Sequence, residues 1–278
     1  VTPWSPATAG PAALDAHMTQ VTSPRPQDHQ SRARDPRLPS TPTIRKTPTR
    51  HSLSLVGFTR YASLFGVTLA ANASVPRWKA QHAFNVLMEY IDNDEDGAPD
   101  NPAIVEALAK QGATVLVFSS WSEFERFDNR DYGDLLSRRG RSAITVLVAE
   151  EVKPADSFDA TLEETLHLVT QFGWAAAYPR IWSEGRNSQL RDLRLEAQHA
   201  GHFDYRDPTC LAACQDTEFA YWALTSLLGG QVDRCDEVAH EWTLCTPAMM
   251  LSEAPNLVGL LQDPRFALPN RLPDGRYL

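Results

Sequence analysis

The sequence lacks an uncharged apolar run of about 18 residues, the length that a membrane-spanning helix needs, so no membrane span is predicted. It also lacks an excess of positive charge, because 26 Lys and Arg stand against 35 Asp and Glu. The resulting net charge of −9 argues against a nucleic-acid partner. No glycine-rich phosphate loop and no G-x-S-x-G motif is found, which disfavours nucleotide and serine-hydrolase chemistry. With 278 residues that are 42% hydrophobic, the chain is nevertheless long enough to bury a sizeable core.

The first fifth of the chain differs in composition from the rest. Residues 1–50 hold 9 of the 20 prolines, 7 Lys or Arg and 3 Asp or Glu, and their only aromatic residue is Trp4. A segment of this kind buries too little apolar surface to offset the entropy lost on ordering. We therefore predict a disordered, basic, proline-rich tail over residues 1–51, kept as a linker or removed as a leader, and a single metal-binding domain over residues 52–278.

The domain is predicted to have an α+β fold, with a small sheet and helices in its first half and a helical second half. Apolar runs predict strands at residues 54–60, 113–119 and 143–150. Helical periodicity and capping residues predict helices at residues 76–91, 101–111, 121–127, 159–176, 188–200, 215–228, 233–242 and 246–261. Ser74, Asn101 and either Asp159 or Thr161 are the expected N-caps of three of these helices.

All the cysteines lie close together, at Cys210, Cys214, Cys235 and Cys245. An even, clustered set without a standard zinc spacing favours two disulfides in an oxidising compartment, although three pairings are open. Four reduced thiols in a cytosolic protein are the alternative. The sequon at Asn72 is a glycosylation candidate. These features favour a secreted or extracellular protein.

An aspartate-rich segment follows the first predicted helix, with the pattern D-x-D-x-D-G-x-x-D from residue 92 to residue 100. Ca²⁺ takes six to eight hard oxygen ligands, and carboxylates at alternate positions of a loop converge on one point. The segment resembles an EF-hand loop, and more closely the calcium repeats of thrombospondins, but the bidentate Glu of the EF-hand is replaced by Ala103. The resemblance implies Ca²⁺ ligands at Asp92, Asp94, Asp96, Ala98 (through its carbonyl) and Asp100. The alternative is a solvated acidic turn between two helices.

The predicted helix at residues 159–176 carries Glu163, Glu164 and His167 although it is apolar on nearly every face. Buried carboxylates and imidazoles are costly unless they are paired or bind a cation. Glu163 and His167 are one turn apart, at i and i+4, where two side chains can share one metal ion. The pattern therefore predicts a buried metal site, unless Glu163 or Glu164 caps the helix and a nearby carboxylate satisfies His167.

The Glu-Glu-x-x-His pattern resembles the His-Glu-x-x-His helix of zincin metallopeptidases of the glutamate type, with Glu163 in place of the first His. The resemblance implies that Glu163 and His167 bind Zn²⁺ or another divalent transition metal, with Glu164 as general base. It implies a third ligand on a later helix, for which Glu218 is the candidate, and an oxyanion donor, for which Tyr221 is the candidate.

We thus predict a calcium-stabilised metalloprotein that hydrolyses peptide or protein substrates with a metal-bound water. The alternative function is a non-enzymatic extracellular calcium-binding protein that meets a matrix or partner. A third possibility is a di-iron carboxylate protein, because Glu237 and His240 form a further Glu-x-x-His, with Glu196 and Glu218 on intervening helices. The order of these residues along the chain and the strand-rich first half argue against it.

Overall fold

The computed structural model describes residues 42–47, 53–54, 57–128, 140–154, 158–184, 187–208, 210 and 212–277. Within these ranges the fold is α+β, as predicted, with one mixed sheet and helices in both halves of the chain. Among the described helices, none is long and apolar enough to cross a membrane.

The sheet has five strands in the order of the chain, of which β3 and β4 are fully buried. They are β1 (Arg45–Lys46), β2 (Arg60–Leu64), β3 (Val67–Ala71), β4 (Thr114–Phe118) and β5 (Ile144–Val148). The pairs β1–β2 and β2–β3 are antiparallel, whereas β3–β4 and β4–β5 are parallel. The strands predicted at residues 113–119 and 143–150 are confirmed.

The prediction of a strand at residues 54–60 is wrong. The described residues of that segment before Arg60 are not in a strand, and β2 begins at Arg60. The hairpin of β2 and β3 that follows was not predicted. Its loop, Phe65-Gly66, places both residues at positive φ, of 52° and 79°. Phenylalanine is unusual in the first position of such a turn, so the usual sequence signal is missing. A Cβ at Gly66 would lie 2.6 Å from the Cβ of Ala109, which explains the glycine.

Residues 42–47 fall in the predicted tail, but they contact the domain. β1 pairs with β2, and the side chain of Ile44 is buried in the main core. The domain thus includes residues before position 52.

The helices of the first half are α1 (Arg77–Glu89), α2 (Pro102–Lys110) and α3 (Trp121–Asp128), all at predicted positions. Asn101 caps α2 as expected, because its side chain accepts the N–H of Ala103. Ser74 does not cap α1, whose N-cap is Pro76. The side chain of Asn72 instead accepts the N–H groups of Ser74 and Val75.

The second half is helical. Its helices are α4 (Ala160–Val169), α5 (Ala175–Ala177), α6 (Pro179–Trp182), α7 (Gln189–His199), α8 (Ala212–Leu227), α9 (Cys235–Val238), α10 (Pro247–Glu253) and α11 (Pro255–Leu261). A π-helical turn, Thr170–Trp174, joins α4 to α5. The helix predicted at residues 246–261 breaks before Pro255, which has no N–H to donate. The helix predicted at residues 233–242 shrinks to one 3₁₀ turn (Val232–Arg234) and α9.

The main hydrophobic core lies between the sheet and these helices, and α4 runs through its centre. This helix contacts α1, β5 and α8. Because α4 is packed on several sides, its polar side chains are brought against groups from other elements rather than against bulk water.

Candidate metal centre

The N-terminus of α4 is fixed by Asp159, its N-cap. One carboxylate oxygen of Asp159 accepts the N–H of Thr161, and the other lies 2.6 Å from Nε2 of His82 on α1. Thr165, Leu166 and other residues of α4 are buried in the core. The rotation of the helix about its axis is thereby set, and with it the direction of its Glu-Glu-x-x-His side chains.

Three predicted ligands converge between α4 and α8. Glu163, His167 and Glu218 each offer one ligand atom, and these atoms lie within 4.8 Å of one another. Nε2 of His167 is 3.4 Å from Oε2 of Glu218. The geometry is not that of a hydrogen bond, and this buried nitrogen has no hydrogen-bond partner among the described residues. Without a metal this nitrogen meets, in the part of the chain that the structure describes, only the carboxylate of Glu218, as an ion pair when His167 is protonated, and a cation shared by the three groups would satisfy it.

Glu164 lies beside this trio, towards the sheet. Its Oε2 accepts a hydrogen bond from Oγ1 of Thr145 on β5 at 3.1 Å and is 3.8 Å from Nδ1 of His167. The side chain of Glu164 is 32% exposed, against 13% for His167 and 11% for Glu218. The predicted general base is therefore the group that a water molecule or a substrate reaches most easily.

The pKa values of the cluster reflect carboxylates crowded in a dry place. Burial, followed by the negative charge of Glu218, raises the pKa of Glu163 to about 8. Burial also raises the pKa of Glu164 to about 7, although the charge of His167 opposes the rise. For His167, burial lowers the pKa, but the carboxylates, Glu218 foremost, outweigh it and raise the pKa to about 10. The cluster thus retains protons near neutral pH, and a bound cation would replace them.

Tyr221 is buried, and its ring meets the ring of His167 edge-on at 6.1 Å. Its hydroxyl accepts a hydrogen bond from Nε2 of Gln231 at 3.2 Å. Arg234, also buried, donates to Gln231 and Glu237 and lies over the ring of Phe158. Tyr221, the predicted oxyanion donor, therefore lies in a polar network next to the proposed metal ligands.

Sequence reasoning missed Thr145, Gln231 and Arg234, which complete the surroundings of the trio. Arg234 is the buried cation whose charge lowers the pKa of Glu163 against the effect of burial. Arg234 falls in the helix predicted at residues 233–242, and nothing in that sequence pattern marked it for this role.

The aspartate-rich loop brings some of its predicted ligands together. Carboxylate oxygens of Asp92, Asp94 and Asp100 lie within 4.8 Å of one another. Asp96 is outside this set, and one of its oxygens accepts the N–H of Ala98. Burial and the neighbouring aspartates raise the pKa of Asp92 to about 6, as expected of crowded acidic groups.

The loop is held to the end of the chain. The carboxylate of Asp92 accepts the N–H of Gly97 and the hydroxyl of Tyr277. The side chain of Asn93 accepts the N–H groups of Asn270 and Arg271. A change in the conformation of this loop would therefore alter the contacts of Asn270, Arg271 and Tyr277.

The structure does not bring the di-iron residues together. Glu237 pairs with Arg234, and Glu196 is exposed. The side chain of His240 is 62% exposed and faces Glu241. None of the three joins a group of converging ligands among the described residues.

The remaining predicted sites are the cysteines and the sequon. Cys210 pairs with Cys214 and Cys235 with Cys245, which confirms two disulfides and selects one of the three pairings. Asn72 is buried, and its side chain is engaged in the turn before α1. The fold therefore gives no support to a glycan at this position.

Comparison of the chain with protein-family models, curated proteins and solved structures finds no match.

Proposed function

We propose that the protein binds a divalent transition metal, with zinc as the first candidate, between α4 and α8, and that it hydrolyses peptide bonds there. The observation that carries the proposal is the convergence of Glu163, His167 and Glu218 around an imidazole nitrogen without a hydrogen-bond partner. Zinc ligands at about 2.1 Å from one ion in a tetrahedron lie about 3.4 Å from one another. Small side-chain rotations take the three groups from their present spacing to that one.

Held by Glu163, His167 and Glu218, the ion would supply Lewis-acid activation of a water molecule and of the substrate carbonyl. Glu164 would be the general base that takes a proton from the attacking water and gives it to the leaving amine. In the metal-free protein, burial raises the pKa of Glu164 to about 7, so this carboxylate takes up a proton more readily than a carboxylate in water does. Thr145 orients the carboxylate of Glu164 through its hydrogen bond. Tyr221 is only 2% exposed, which favours a role in holding His167 over direct contact with a substrate.

The aspartate loop is proposed to bind Ca²⁺ and to stabilise the junction of α1, α2 and the end of the chain. Two disulfides and a calcium site suit a secreted protein. The second candidate function is a non-enzymatic extracellular calcium-binding protein. It is favoured by the burial of the α4–α8 cluster, because a substrate must reach the ion past Glu164.

Replacing Glu164 with Gln tests the proposed chemistry. We expect this variant to bind one zinc ion per chain but to hydrolyse peptides at a rate at least about 100-fold lower. General base catalysis typically raises the rate by a factor of about 10² to 10⁴. The measurement is cleavage of a mixed quenched-fluorescent peptide library by zinc-reconstituted protein. Glu196→Gln, an exposed change on α7, is the control and should retain activity. Equal cleavage by the Glu164 variant would remove it as the base, and no cleavage by the wild type would favour the second candidate.

The calcium proposal gives different roles to Asp94 and Asp96, although the sequence pattern predicts both as Ca²⁺ ligands. Both Asp94 and Asp96 are exposed, but only Asp94 belongs to the converging set. We expect Asp94→Asn to weaken Ca²⁺ binding about 10-fold or more, and Asp96→Asn much less, because the lost charge lies at the ion in only one case. Isothermal titration calorimetry of the two variants checks this prediction. An equal loss would show that the loop binds as an EF-hand does.

Addition of calcium should also stabilise the fold. A ligand at 100 times its Kd contributes about 2.7 kcal/mol. For a domain of this size, that corresponds to a rise of roughly 5–10 °C in Tm. Differential scanning calorimetry with calcium and with a chelator measures it, and an unchanged Tm would leave the loop as a solvated turn.

A further inference from the structure

The Cys210–Cys214 disulfide lies one helical turn before Glu218, at the start of α8. The two sulfur atoms and a carboxylate oxygen of Glu218 lie within 4.8 Å of one another. Cys214 and Glu218 are four residues apart on one helix, and Cys210 is held beside them. Cys210 and Glu218 are buried, and Cys214 is half-buried, so a reductant can reach the bond from the side of Cys214.

We propose that reduction of this disulfide creates a second metal site, formed by Cys210, Cys214 and Glu218, that takes a thiophilic ion such as Zn²⁺ or Cd²⁺. A dithiol supplies the two electrons and two protons that turn the disulfide into two thiols, and becomes a disulfide itself. The incoming ion displaces both thiol protons and gains two thiolate ligands and one carboxylate. Thiolates select soft and borderline metals, whereas the trio on α4 and α8 offers only oxygen and nitrogen.

The second disulfide of the chain is different. Among the described residues, neither Cys235 nor Cys245 belongs to a group of converging ligands. Reduction of that bond therefore releases two thiols without a carboxylate or imidazole beside them. The pair Cys235–Cys245 serves as an internal control for the site at Cys210–Cys214.

The fold should survive reduction of Cys210–Cys214. This bond spans a sequence separation of 4, against 10 for Cys235–Cys245. A cross-link that closes a shorter loop restricts the unfolded chain less, so its loss costs less stability. The sulfur atoms remain close after reduction because Cys214 is held in α8 and the backbone N–H of Cys210 donates to the carbonyl of Asp207.

Glu218 is shared by the thiolate site and the proposed zinc centre. The thiolate site itself does not depend on the hydrolase proposal, because it uses neither Glu163 nor His167. Only one consequence rests on the proposed function: an ion drawn to the thiolates takes Glu218 from the zinc centre and lowers hydrolysis under reducing conditions.

The test uses the full chain, reduced with a dithiol, freed of reductant under argon and titrated with Cd²⁺. The ultraviolet thiolate-to-cadmium charge-transfer band is recorded in two double variants, Cys235→Ser/Cys245→Ser and Cys210→Ser/Cys214→Ser. We expect a band of two thiolates per chain in the first variant and none in oxidised protein. The second variant keeps only the dithiol of Cys235 and Cys245, which has no converging carboxylate among the described residues, so its band should need at least about 10-fold more Cd²⁺. Absence of the band from the first variant, or a band at the same Cd²⁺ concentration in the second, would overturn the proposal.

Two further variants separate this site from the zinc centre. Glu218→Gln should weaken Cd²⁺ binding by reduced protein at least about 10-fold, the scale of even an indirect ligand change. His167→Ala should leave the band intact, so the thiolate site can stand if the zinc centre fails. If the serine variants do not fold by circular dichroism, alkylation of the reduced wild type replaces them. Protection of Cys210 and Cys214 by Cd²⁺ supports the site, and protection of only the other pair, or of none, contradicts it.

Discussion

Replacing His167 with Ala is expected to remove zinc from the protein while leaving calcium in place. His167 supplies the single nitrogen of the proposed trio, and its Nε2 has no hydrogen-bond partner among the described residues. Loss of an indirect ligand contact typically costs 10–100-fold in metal affinity, roughly, so loss of this direct ligand should exceed about 100-fold. Equilibrium dialysis with ⁶⁵Zn, at saturating calcium, gives the stoichiometry and the Kd.

Replacing Glu218 with Gln is expected to weaken zinc binding as well. It keeps the shape of the side chain but removes the charge that α8 contributes to the centre. We expect a loss of zinc affinity comparable to that of His167→Ala, because both elements must supply a ligand.

The control is His240→Ala, in another Glu-x-x-His of the chain. The side chain of His240 is 62% exposed and contacts Glu241, so its removal should leave zinc binding unchanged. Equal zinc binding by the wild type and both ligand variants would contradict the centre, and a loss in the His240 variant would revive a site built on that motif.

The metal-free protein is expected to lose stability as the pH rises. Glu163 has a pKa of about 8 in the fold, above its ordinary value of 4.5, so the folded state holds this proton more tightly than the unfolded chain. The resulting stability is present in full below the ordinary value and is lost as the pH rises to about 8. His167 acts in the same direction between 6.5 and about 10. Bound zinc should reverse the trend, because the ligands bind it only after they lose their protons.

Glu163→Gln removes one of these ionisations. At about pH 9 we expect the metal-free variant to be more stable than the metal-free wild type by about 1–2 kcal/mol, or about 3–6 °C in Tm. Well below pH 4.5, where the wild-type carboxyl is protonated in both the folded and the unfolded state, the advantage should vanish. The variant should also gain no stability from zinc.

Thermal unfolding by circular dichroism, with and without zinc, measures the stability difference at about pH 9, its loss at low pH and the effect of zinc on the variant. Glu196→Gln is the control, because Glu196 is exposed and lies outside the cluster. A metal-free wild type that becomes more stable from pH 6 to pH 9, by contrast, would show that the carboxylates are not crowded in the folded state.

Much of the fold could be predicted from patterns that a single element carries. The buried strand β4 and the partly buried strand β5 are both predominantly apolar runs, and α2 begins at an Asn-Pro pair. The hairpin of β2 and β3 escaped prediction because its turn uses Phe65, which breaks the local rule for positive φ. The early start of the domain escaped because β1 depends on pairing with β2, which composition does not reveal.

The residues of the candidate site are likewise of two kinds: some could be placed from the local sequence pattern, and others depend on how the elements pack. Glu163 and His167 could be placed together from helical spacing alone, whereas the position of Glu218 depends on how α8 packs against α4. Thr145 and Arg234 reach the cluster from other parts of the chain, and no local pattern marks them. The proximity of Cys214 to Glu218 follows from helical spacing once α8 is known to begin at Ala212, and the disulfide brings Cys210 beside them.

The most direct measurement is anomalous diffraction at the zinc absorption edge from crystals of the zinc-loaded protein. The account predicts a peak bounded by Glu163, His167 and Glu218, with each ligand atom about 2 Å from it. A fully loaded crystal with no peak at this place, and with the three side chains turned away from one another, would contradict the account.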